Sequence, residues 1–471
     1  MGEWRMMDQV KNTDTIAAIA TPMGASGIGI VRLSGEDSIK IAERIFSSPK
    51  KRDLYNSPDR TVHYGHIRVP DAGDMVDEVL LTVMKAPMTY TSEDVVEINC
   101  HGGPMPLKSV LELCLAHGAR LAEPGEFTKR AFLSGRIDLA QAEAVLDIIR
   151  SRSEMARRLA VEQLKGVFSE EIKRLRNMTL DILSEIELGI DFTGEDVLFF
   201  GEEKTVHDIR DLHQAISRVL ETAGRGMIFR QGISVVICGR PNVGKSSLMN
   251  ALLKRDRAIV TPVPGTTRDT IEESLAISGV EVRVSDTAGI TATNDAVEVE
   301  GVARSKEKIQ YADIVIFMID VSMGLSDEDM AIFNLIREKK TIIVENKIDL
   351  PRAFSHEEAM DRFRDEHILE ISVLEGTELS SVEDMITEKM FDGDNIEIPE
   401  TPVVANLRHK EALKNALKNT ERAQDICGKK YNGELLASDL NEVARCLGLI
   451  TGESVEDDIL DRIFSQFCIG K

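Results

Sequence analysis

The sequence predicts a multidomain α/β and α protein, in which an N-terminal α+β domain precedes a helical domain that an α/β domain interrupts. Two observations indicate this order. No proline occurs between Gly125 and Arg240 or after Val403, and apolar residues recur in both arms at helical spacing. Between the arms, apolar runs typical of buried parallel strands alternate with helical patterns. The length of 471 residues fits about three domains of ordinary size.

We expect four segments along the chain, divided where the pattern changes. The N-terminal α+β domain covers residues 1–124, and the inserted α/β domain covers residues 226–392. The two parts of the helical domain cover residues 125–225 and 393–471.

The N-terminal segment mixes short strands with two helices. Gly27 and Gly29 precede the best strand-like run and no helix follows them at once, which favours a structural turn over a dinucleotide-binding loop. The predicted strands are Ile16–Ala20, Ile30–Leu33, Val62–Val69, Val79–Met84 and Asp94–Ile98, and the predicted helices are Asp37–Phe46 and Pro106–His117.

The remaining segments have clearer periods. Long amphipathic helices are predicted at Ala140–Ile149, Leu159–Phe168, Leu175–Ile190, Leu407–Ile426, Leu435–Leu447 and Val455–Phe467. Strands of the inserted domain are predicted at Ile233–Cys238, Val280–Val284, Ile314–Ile319, Thr341–Val344 and Ile368–Ser372.

Composition limits the environment and the partners of the chain. The net charge is −23, which repels nucleic acid, so an RNA substrate would need a partner to help hold it. The six cysteines are scattered without a C-x-x-C pair, as expected for reduced thiols in a cytoplasm. No apolar run is long enough to span a membrane, and no signal peptide opens the chain. We therefore expect a soluble, cytoplasmic protein.

A phosphate-binding loop is the strongest motif. Gly239-Arg-Pro-Asn-Val-Gly-Lys-Ser246 follows the strand Ile233–Cys238 and precedes a helical run from Ser247. Glycines let the backbone curl around phosphate, Lys245 brings a positive charge, and Ser246 offers a hydroxyl to Mg²⁺. A plain glycine-rich turn is the alternative, but both flanks favour the phosphate loop.

Three further motifs select the nucleotide and the metal. In Asn346-Lys-Ile-Asp349 the last carboxylate can accept from the N1–H and 2-amino groups of guanine, which predicts GTP and GDP binding. Asp286-Thr-Ala-Gly289 ends a strand, and Thr266 and Thr267 offer hydroxyls to Mg²⁺. The four motifs in this order resemble those of translation-factor-type GTPases.

Hydrolysis must proceed without the usual glutamine, because Ile290 stands where many GTPases carry it. Two residues could supply the missing chemistry. Asn242 could bind a monovalent cation beside the phosphates, and Glu298 could orient the attacking water. From the residues alone, a simple loop position for Asn242 and a solvated helix charge for Glu298 both remain open.

With these motifs placed, the whole chain after about Thr13 resembles the MnmE (TrmE) family of tRNA-modifying GTPases. The resemblance implies an N-terminal folate-binding-like domain, a discontinuous helical domain and an inserted Ras-like P-loop GTPase domain. Besides the GTPase motifs, it is carried by Ala20–Pro22, Gly27–Arg32, Ser92–Glu97, His101–Gly103, Pro124–Phe127, Arg130–Leu133, Asp138–Glu143 and the tail Phe467–Lys471.

The family assigns a role to each matching residue of the GTPase site. Ser246 and Thr267 match the Mg²⁺ ligands, and Glu298 matches the catalytic glutamate that positions water. The potassium ligands match Asn242, Thr261, Val263 and Thr266. The expected GTP-binding residues are Asn242, Val243, Gly244, Lys245, Ser246, Ser247, Thr261, Pro262, Val263, Pro264, Gly265, Thr266, Thr267, Asp286, Thr287, Ala288, Gly289, Asn346, Lys347, Asp349, Ser372 and Val373.

The resemblance also implies partners and a reaction. In the family, the GTPase (G) domains of two chains meet across their switch regions. This chain is therefore expected to be a homodimer with potassium-stimulated GTP hydrolysis. With the flavoprotein MnmG (GidA), such a GTPase adds a carboxymethylaminomethyl-type group to C5 of the wobble uridine (U34) of certain tRNAs, using a one-carbon tetrahydrofolate in its 5-formyl or methylene form.

The folate site is carried over to Arg32, Glu97, Arg136 and Lys471. Arg136 stands where the family's lysine is expected, and Val373 replaces the usual alanine of the last guanine-binding loop. For Cys468, a buried structural thiol and a part in the modification chemistry both remain open.

Two rival functions belong to other classes. A ribosome-assembly GTPase usually carries a basic RNA-binding appendix, which this acidic chain lacks. A non-enzymatic GTP switch would not hydrolyse GTP fast without an activating protein.

Overall fold

The computed structural model describes ten stretches of the chain: residues 14–48, 53–70, 72–191, 202–255, 272–286, 306–363, 366–393, 402–429, 432–455 and 457–471. These residues form two compact units. The first unit contains the described residues up to Leu146 together with Gly448–Lys471, and the second is Asp147–Leu447.

Strands and helices follow the predicted order. The strands are β1 (Ile16–Ile19), β2 (Ser26–Ser34), β3 (Phe46–Ser47), β4 (Thr61–Arg68), β5 (Met75–Met84), β6 (Val95–Gly102), β7 (Arg120–Leu121), β8 (Ile233–Cys238), β9 (Glu272–Ile277), β10 (Val280–Asp286), β11 (Ile314–Asp320), β12 (Lys340–Asn346) and β13 (His367–Ile371). The helices are α1 (Ser38–Ile45), α2 (Pro104–Ala116), α3 (Glu126–Leu133), α4 (Leu139–Arg150), α5 (Glu154–Lys165), α6 (Val167–Asp191), α7 (Glu202–Glu221), α8 (Ala223–Gln231), α9 (Lys245–Arg255), α10 (Asp327–Ile336), α11 (His356–Arg362), α12 (Leu379–Phe391), α13 (Leu407–Lys429), α14 (Gly433–Thr451) and α15 (Asp457–Phe464). Residues 306–311 are also helical.

The first unit is built on a seven-stranded sheet in the order β3-β4-β5-β6-β2-β1-β7. All neighbours are antiparallel except β1 and β7, which run parallel. Alternate side chains of β2, β5 and β6 are buried, because α1 and α2 cover one face of the sheet. The mixture confirms the predicted α+β class.

The prediction for Gly27 and Gly29 was wrong. Both glycines lie inside β2, where the pairing with β6 shifts its register between Ser26 and Gly29. A Cβ on Gly29 would lie 2.8 Å from the Leu107 side chain, so close packing of α2 on the strand explains this glycine.

The second unit contains a six-stranded sheet in the order β13-β12-β11-β8-β10-β9. Its strands are parallel except for the β9–β10 pair. Every residue of β11 is buried, which explains its unbroken apolar sequence. The carboxyl ends of β10, β11 and β12 therefore meet at one edge of the sheet, where α/β proteins bind ligands.

The helical parts depart from prediction in two places. The predicted helix Leu159–Phe168 is interrupted, because Gly166 takes a left-handed φ of 92° and ends α5 at Lys165. The last predicted helix is shorter, since α15 spans only Asp457–Phe464. In the second unit α7 and α13 pack together, and His213 Nδ1 lies 2.9 Å from Thr420 Oγ1. Within the described stretches, none of the helices combines the length and apolarity that a membrane crossing requires.

Candidate functional site

The phosphate loop follows β8 and makes a close turn that requires glycine at two positions. Gly239 and Gly244 have φ values of 144° and 108°, outside the range that L side chains favour. A Cβ on Gly239 would lie 2.3 Å from the Met318 carbonyl oxygen, and a Cβ on Gly244 would lie 2.3 Å from Asn346 Nδ2. Asn242 is also left-handed, with a φ of 63°. The loop is thus a close turn that delivers its backbone to the N-terminus of α9, an anion-binding position.

Lys245, the first residue of α9, is 8% exposed and points back into the loop. Its Nζ donates to the carbonyl oxygens of Gly239 and Arg240, at 3.0 and 2.9 Å. Burial lowers the pKa of the Lys245 amine, although the Asp286 carboxylate acts in the opposite direction. Because both hydrogen-bond partners are uncharged, a phosphate in the loop would give the ammonium a stronger partner.

A hydroxyl and a carboxylate meet next to this lysine. Ser246 Oγ donates to Asp286 Oδ2 at 2.5 Å, and Asp286 lies at the end of β10. Asp286 Oδ1 is buried and has no hydrogen-bond partner among the described residues. An unsatisfied carboxylate oxygen beside a serine hydroxyl fits a divalent cation such as Mg²⁺, which prefers oxygen ligands. Ser247 is exposed in the first turn of α9.

Asn346 joins the two halves of the site. Its Nδ2 donates to the Val243 carbonyl oxygen at 2.8 Å, and its Oδ1 accepts from the Val373 N–H at 3.1 Å. Asp349 Oδ1 accepts from Ser372 Oγ at 2.6 Å. Residues of the predicted set therefore connect the phosphate loop with both segments that are predicted to recognise the base.

Lys347 contacts both the phosphate loop and Asp320, a residue that was not among the predicted site residues. Its Nζ donates to the Asn242 carbonyl oxygen at 2.9 Å and to Asp320 Oδ2 at 2.5 Å. Asp320 is 2% exposed; burial raises its pKa, but hydrogen bonds from Lys347 and Ser322 outweigh this and leave the pKa below its usual value. A signal existed in the sequence, because Asp320 ends a buried parallel strand as Asp286 and Asn346 do.

Several predicted site residues fall outside the described stretches. These are Thr261, Pro262, Val263, Pro264, Gly265, Thr266, Thr267, Thr287, Ala288, Gly289 and Glu298. Their assignments as nucleotide, potassium and Mg²⁺ ligands, and as the catalytic glutamate, stay predictions.

The first unit brings together three of the four predicted folate residues around one salt bridge. Arg32 on β2 and Glu97 on β6 are register partners, and Glu97 Oε1 lies 2.9 Å from Arg32 Nε and 2.7 Å from an Arg32 terminal nitrogen. The third is Lys471, whose pKa is lowered by burial first and by the charge of Arg32 second, while Glu97 opposes both. Arg32 also donates to the Gly470 carbonyl oxygen at 3.4 Å.

Aromatic rings connect the fourth predicted residue to this pair. The Arg136 guanidinium lies 4.7 Å from the centre of the Tyr90 ring, and the Arg32 guanidinium lies 5.8 Å from both Tyr90 and Phe127. Tyr90 and Phe127 were not predicted, since an isolated aromatic residue gives no sequence signal. Cys468 is exposed, which disfavours the buried structural thiol.

The phosphate loop, the Asn346–Asp349 segment and the sheet that positions both define a P-loop GTPase, an enzyme that hydrolyses GTP. Family models described as "GTP-binding protein TrmE N-terminus" and "MnmE helical domain" match residues 15–136 and 139–468. The chain belongs to the MnmE family of tRNA modification GTPases.

Two proteins of the MnmE family agree with this assignment. The chain is 46% identical over 458 residues to the tRNA modification GTPase MnmE of Thermoanaerobacter pseudethanolicus, covering 97% of this chain and 99% of that protein. The MnmE of Alkaliphilus oremlandii gives the same identity and coverage. A crystal structure of Aquifex aeolicus Era with GDP·AlF4⁻ is 29% identical over 40% of this chain and 66% of that chain, with a TM-score of 0.29.

Proposed function

We propose that this protein hydrolyses GTP in order to drive tRNA modification. Together with a flavoprotein of the MnmG (GidA) type, it would add a carboxymethylaminomethyl-type group to C5 of the wobble uridine U34 of certain tRNAs. The observation that carries the proposal is the similarity along nearly the whole chain, 97% of it, to proteins named tRNA modification GTPase MnmE. The bridging of phosphate and base segments by Asn346 supports the GTP-dependent part.

In the proposed hydrolysis, water attacks the γ-phosphoryl group and GDP and phosphate leave. Lys245 would bind the phosphates, and Ser246 and Thr267 would hold Mg²⁺ beside the Asp286 carboxylate, where the ion would supply positive charge to the phosphate oxygens. Glu298 orients the water. Asn242, Thr261, Val263 and Thr266 would hold potassium, which would supply positive charge where other GTPases use an arginine.

The first unit is proposed to bind a one-carbon tetrahydrofolate, in its 5-formyl or methylene form, through Arg32, Glu97, Arg136 and Lys471. Arg32 and Glu97 neutralise each other at 2.7 Å, which leaves Arg136 and Lys471 for the anionic glutamate tail of the folate. The face of Tyr90 offers a surface for a flat ring. Cys468 is exposed on the same tail as Lys471, so a part in the modification chemistry is open to test.

Dimerisation belongs to the same proposal. Two G domains would meet across their switch regions and complete the potassium site, so that hydrolysis accompanies a conformational cycle. In this proposal the N-terminal domain ends at residue 124, the first part of the helical domain ends at residue 225, and the GTPase domain ends at residue 392.

The test is the nucleoside content of tRNA, measured by mass spectrometry in source cells with and without this chain. We expect deletion to remove the modified wobble uridine, and the wild-type chain to restore it. The Asp286→Ala variant should not restore it, since this removes the carboxylate beside Ser246. An unchanged nucleoside profile on deletion would overturn the tRNA part and leave only a GTPase.

A further inference from the structure

Four ionisable side chains lie next to the base-recognition residues but are not among them: Glu345, Arg352, His356 and Glu370. We call them the Arg352 network. Glu345 precedes Asn346 on β12, so the two side chains point to opposite faces of the sheet. Glu345 is 0% exposed, whereas the side chains of Arg352, His356 and Glu370 are 28%, 35% and 45% exposed.

The Arg352 network places a positive charge between two glutamates that neighbour each other in the sheet. Glu345 and Glu370 are register partners on the neighbouring strands β12 and β13, and like charges in such pairs destabilise a sheet. A buried, unpaired carboxylate is also costly. An Arg352 terminal nitrogen donates to Glu345 Oε2 at 2.9 Å, while the other contacts Glu370 Oε1. His356 Nδ1 lies 3.1 Å from the same Glu345 oxygen.

The two carboxylates and the imidazole could also be considered as ligands of a metal ion. The guanidinium of Arg352 already contacts both carboxylates and supplies the positive charge there. The arrangement is therefore an ion network centred on Arg352.

Arg352 lies where it can act on the nucleotide site. It follows Asp349 by three residues, in the segment between the base motif and α11. The next residue, Ala353, donates its N–H to the Val321 carbonyl oxygen at 2.7 Å, which ties the segment to the end of β11. Strand β12 ends at Asn346, and β13 ends at Ile371, directly before Ser372. Arg352 thus joins the ends of the two strands that deliver the base-recognition residues.

We propose that Arg352 is a positioning residue for guanine recognition. By bridging Glu345 and Glu370, it fixes the separation between the Asn346–Asp349 segment and the Ser372–Val373 segment. The hydrogen bond from Ser372 Oγ to Asp349 Oδ1, at 2.6 Å, depends on that separation. The proposal rests on the proposed function only in that the nucleotide is GTP or GDP.

The test uses the full-length protein and the variant Arg352→Met, which keeps an apolar stem and removes the bridge. We expect GDP affinity to fall about tenfold, the size of effect usual for coupled neighbouring groups. The KM for GTP should rise in parallel. We expect kcat at saturating GTP to change by less than about twofold, because Lys245 and Ser246 are held by the phosphate loop and Asp286 and not by Arg352. Arg362→Met is the matched control: Arg362 is an arginine of α11 whose ion pair with Glu358 stays within that helix.

Two further measurements separate positioning from mere support of the fold. IDP lacks the 2-amino group that Asp349 reads, so the wild type should prefer GDP over IDP, and Arg352→Met should reduce that preference. The double variant Glu345→Gln with Arg352→Met removes the buried charge together with its partner. Arg352→Met alone should lower the melting temperature, because it takes the guanidinium partner from the buried Glu345 carboxylate. We expect the double variant to restore the melting temperature but not the GDP affinity.

Clear outcomes would overturn the proposal. A folded Arg352→Met variant with wild-type GDP affinity and GDP/IDP preference would do so, as would a double variant that regains both stability and GDP affinity. If Arg352→Met fails to fold, Arg352→Lys decides. Lysine keeps the charge but cannot bridge two carboxylates with a rigid fork, so we expect weakened GDP affinity, and unchanged affinity would refute the role. A wild-type protein that binds no GDP would instead defeat the proposed function.

Discussion

The nucleotide site of the second unit and the cluster of Arg32, Glu97, Arg136 and Lys471 in the first are built in different ways. The nucleotide site depends on backbone shape, with two glycines in conformations or contacts that exclude a Cβ. The cluster consists of side chains from four distant parts of the chain, which are in contact through a salt bridge and aromatic rings. The comparison teaches that a site made by consecutive backbone is sensitive to shape, whereas a site made by paired side chains is sensitive to charge and pH.

The largest expected effect is on GTP turnover, and it concerns Glu298, which lies outside the described residues. We expect Glu298→Ala to leave GTP affinity unchanged and to slow turnover about a thousandfold, because a residue that orients the water acts on the chemical step. Turnover is measured as phosphate release in potassium buffer. Equal turnover in wild type and variant would remove Glu298 from the mechanism, and the comparable change Glu300→Ala serves as the control.

Backbone shape is tested by Gly244→Ala. The new Cβ would lie 2.3 Å from Asn346 Nδ2, and the residue has a φ of 108°. We expect GDP affinity, measured by calorimetry, to fall about a hundredfold, as for other strained and overpacked positions. Gly324→Ala is the matched control, since a Cβ at that position would have no atom of the described residues within 4 Å. If both variants bind GDP equally well, the close turn is not needed for binding.

Charge pairing is tested by Arg32→Ala. This change leaves Glu97 without its partner at 2.7 Å, next to the place proposed for the anionic folate. We expect the affinity for 5-formyltetrahydrofolate to fall about tenfold while GTP turnover stays the same. Arg68→Ala, in β4 of the same sheet, should bind folate normally. A joint loss of folate binding and GTP turnover would contradict separate roles for the two sites.

The smallest effect concerns pH. Burial, and then the charge of Arg32, hold the pKa of Lys471 below the usual lysine value of 10.5. The ammonium therefore loses its proton at lower pH than an exposed lysine, and folate affinity should decline about threefold as pH rises through that lowered pKa. Lys471→Met should remove this decline, whereas Lys40→Met, at an exposed lysine, should keep it. A pH profile identical in Lys471→Met and wild type would show that Lys471 does not hold the ligand.

Prediction from sequence worked best where function and local structure share consecutive residues. The strand predicted before the Gly239–Ser246 loop and the helix predicted after it were confirmed, because the spacing of the motif fixes the local fold. The Gly27 and Gly29 turn was wrong because close packing by Leu107, not a turn, requires the glycine at position 29. Helix ends were also misjudged where Gly166 reverses its φ.

The sequence by itself determined the class of protein, since each nucleotide motif lies in consecutive residues, and it determined the family through a resemblance that runs along nearly the whole chain. Only the tertiary structure decided which residues support those motifs. Asp320 against Lys347 and Arg352 against Glu370 join residues 27 and 18 positions apart around the nucleotide site, and Tyr90 beside Arg136 is a similar pairing in the first unit. Such contacts depend on strand register and packing, and a single sequence carries no local pattern for either.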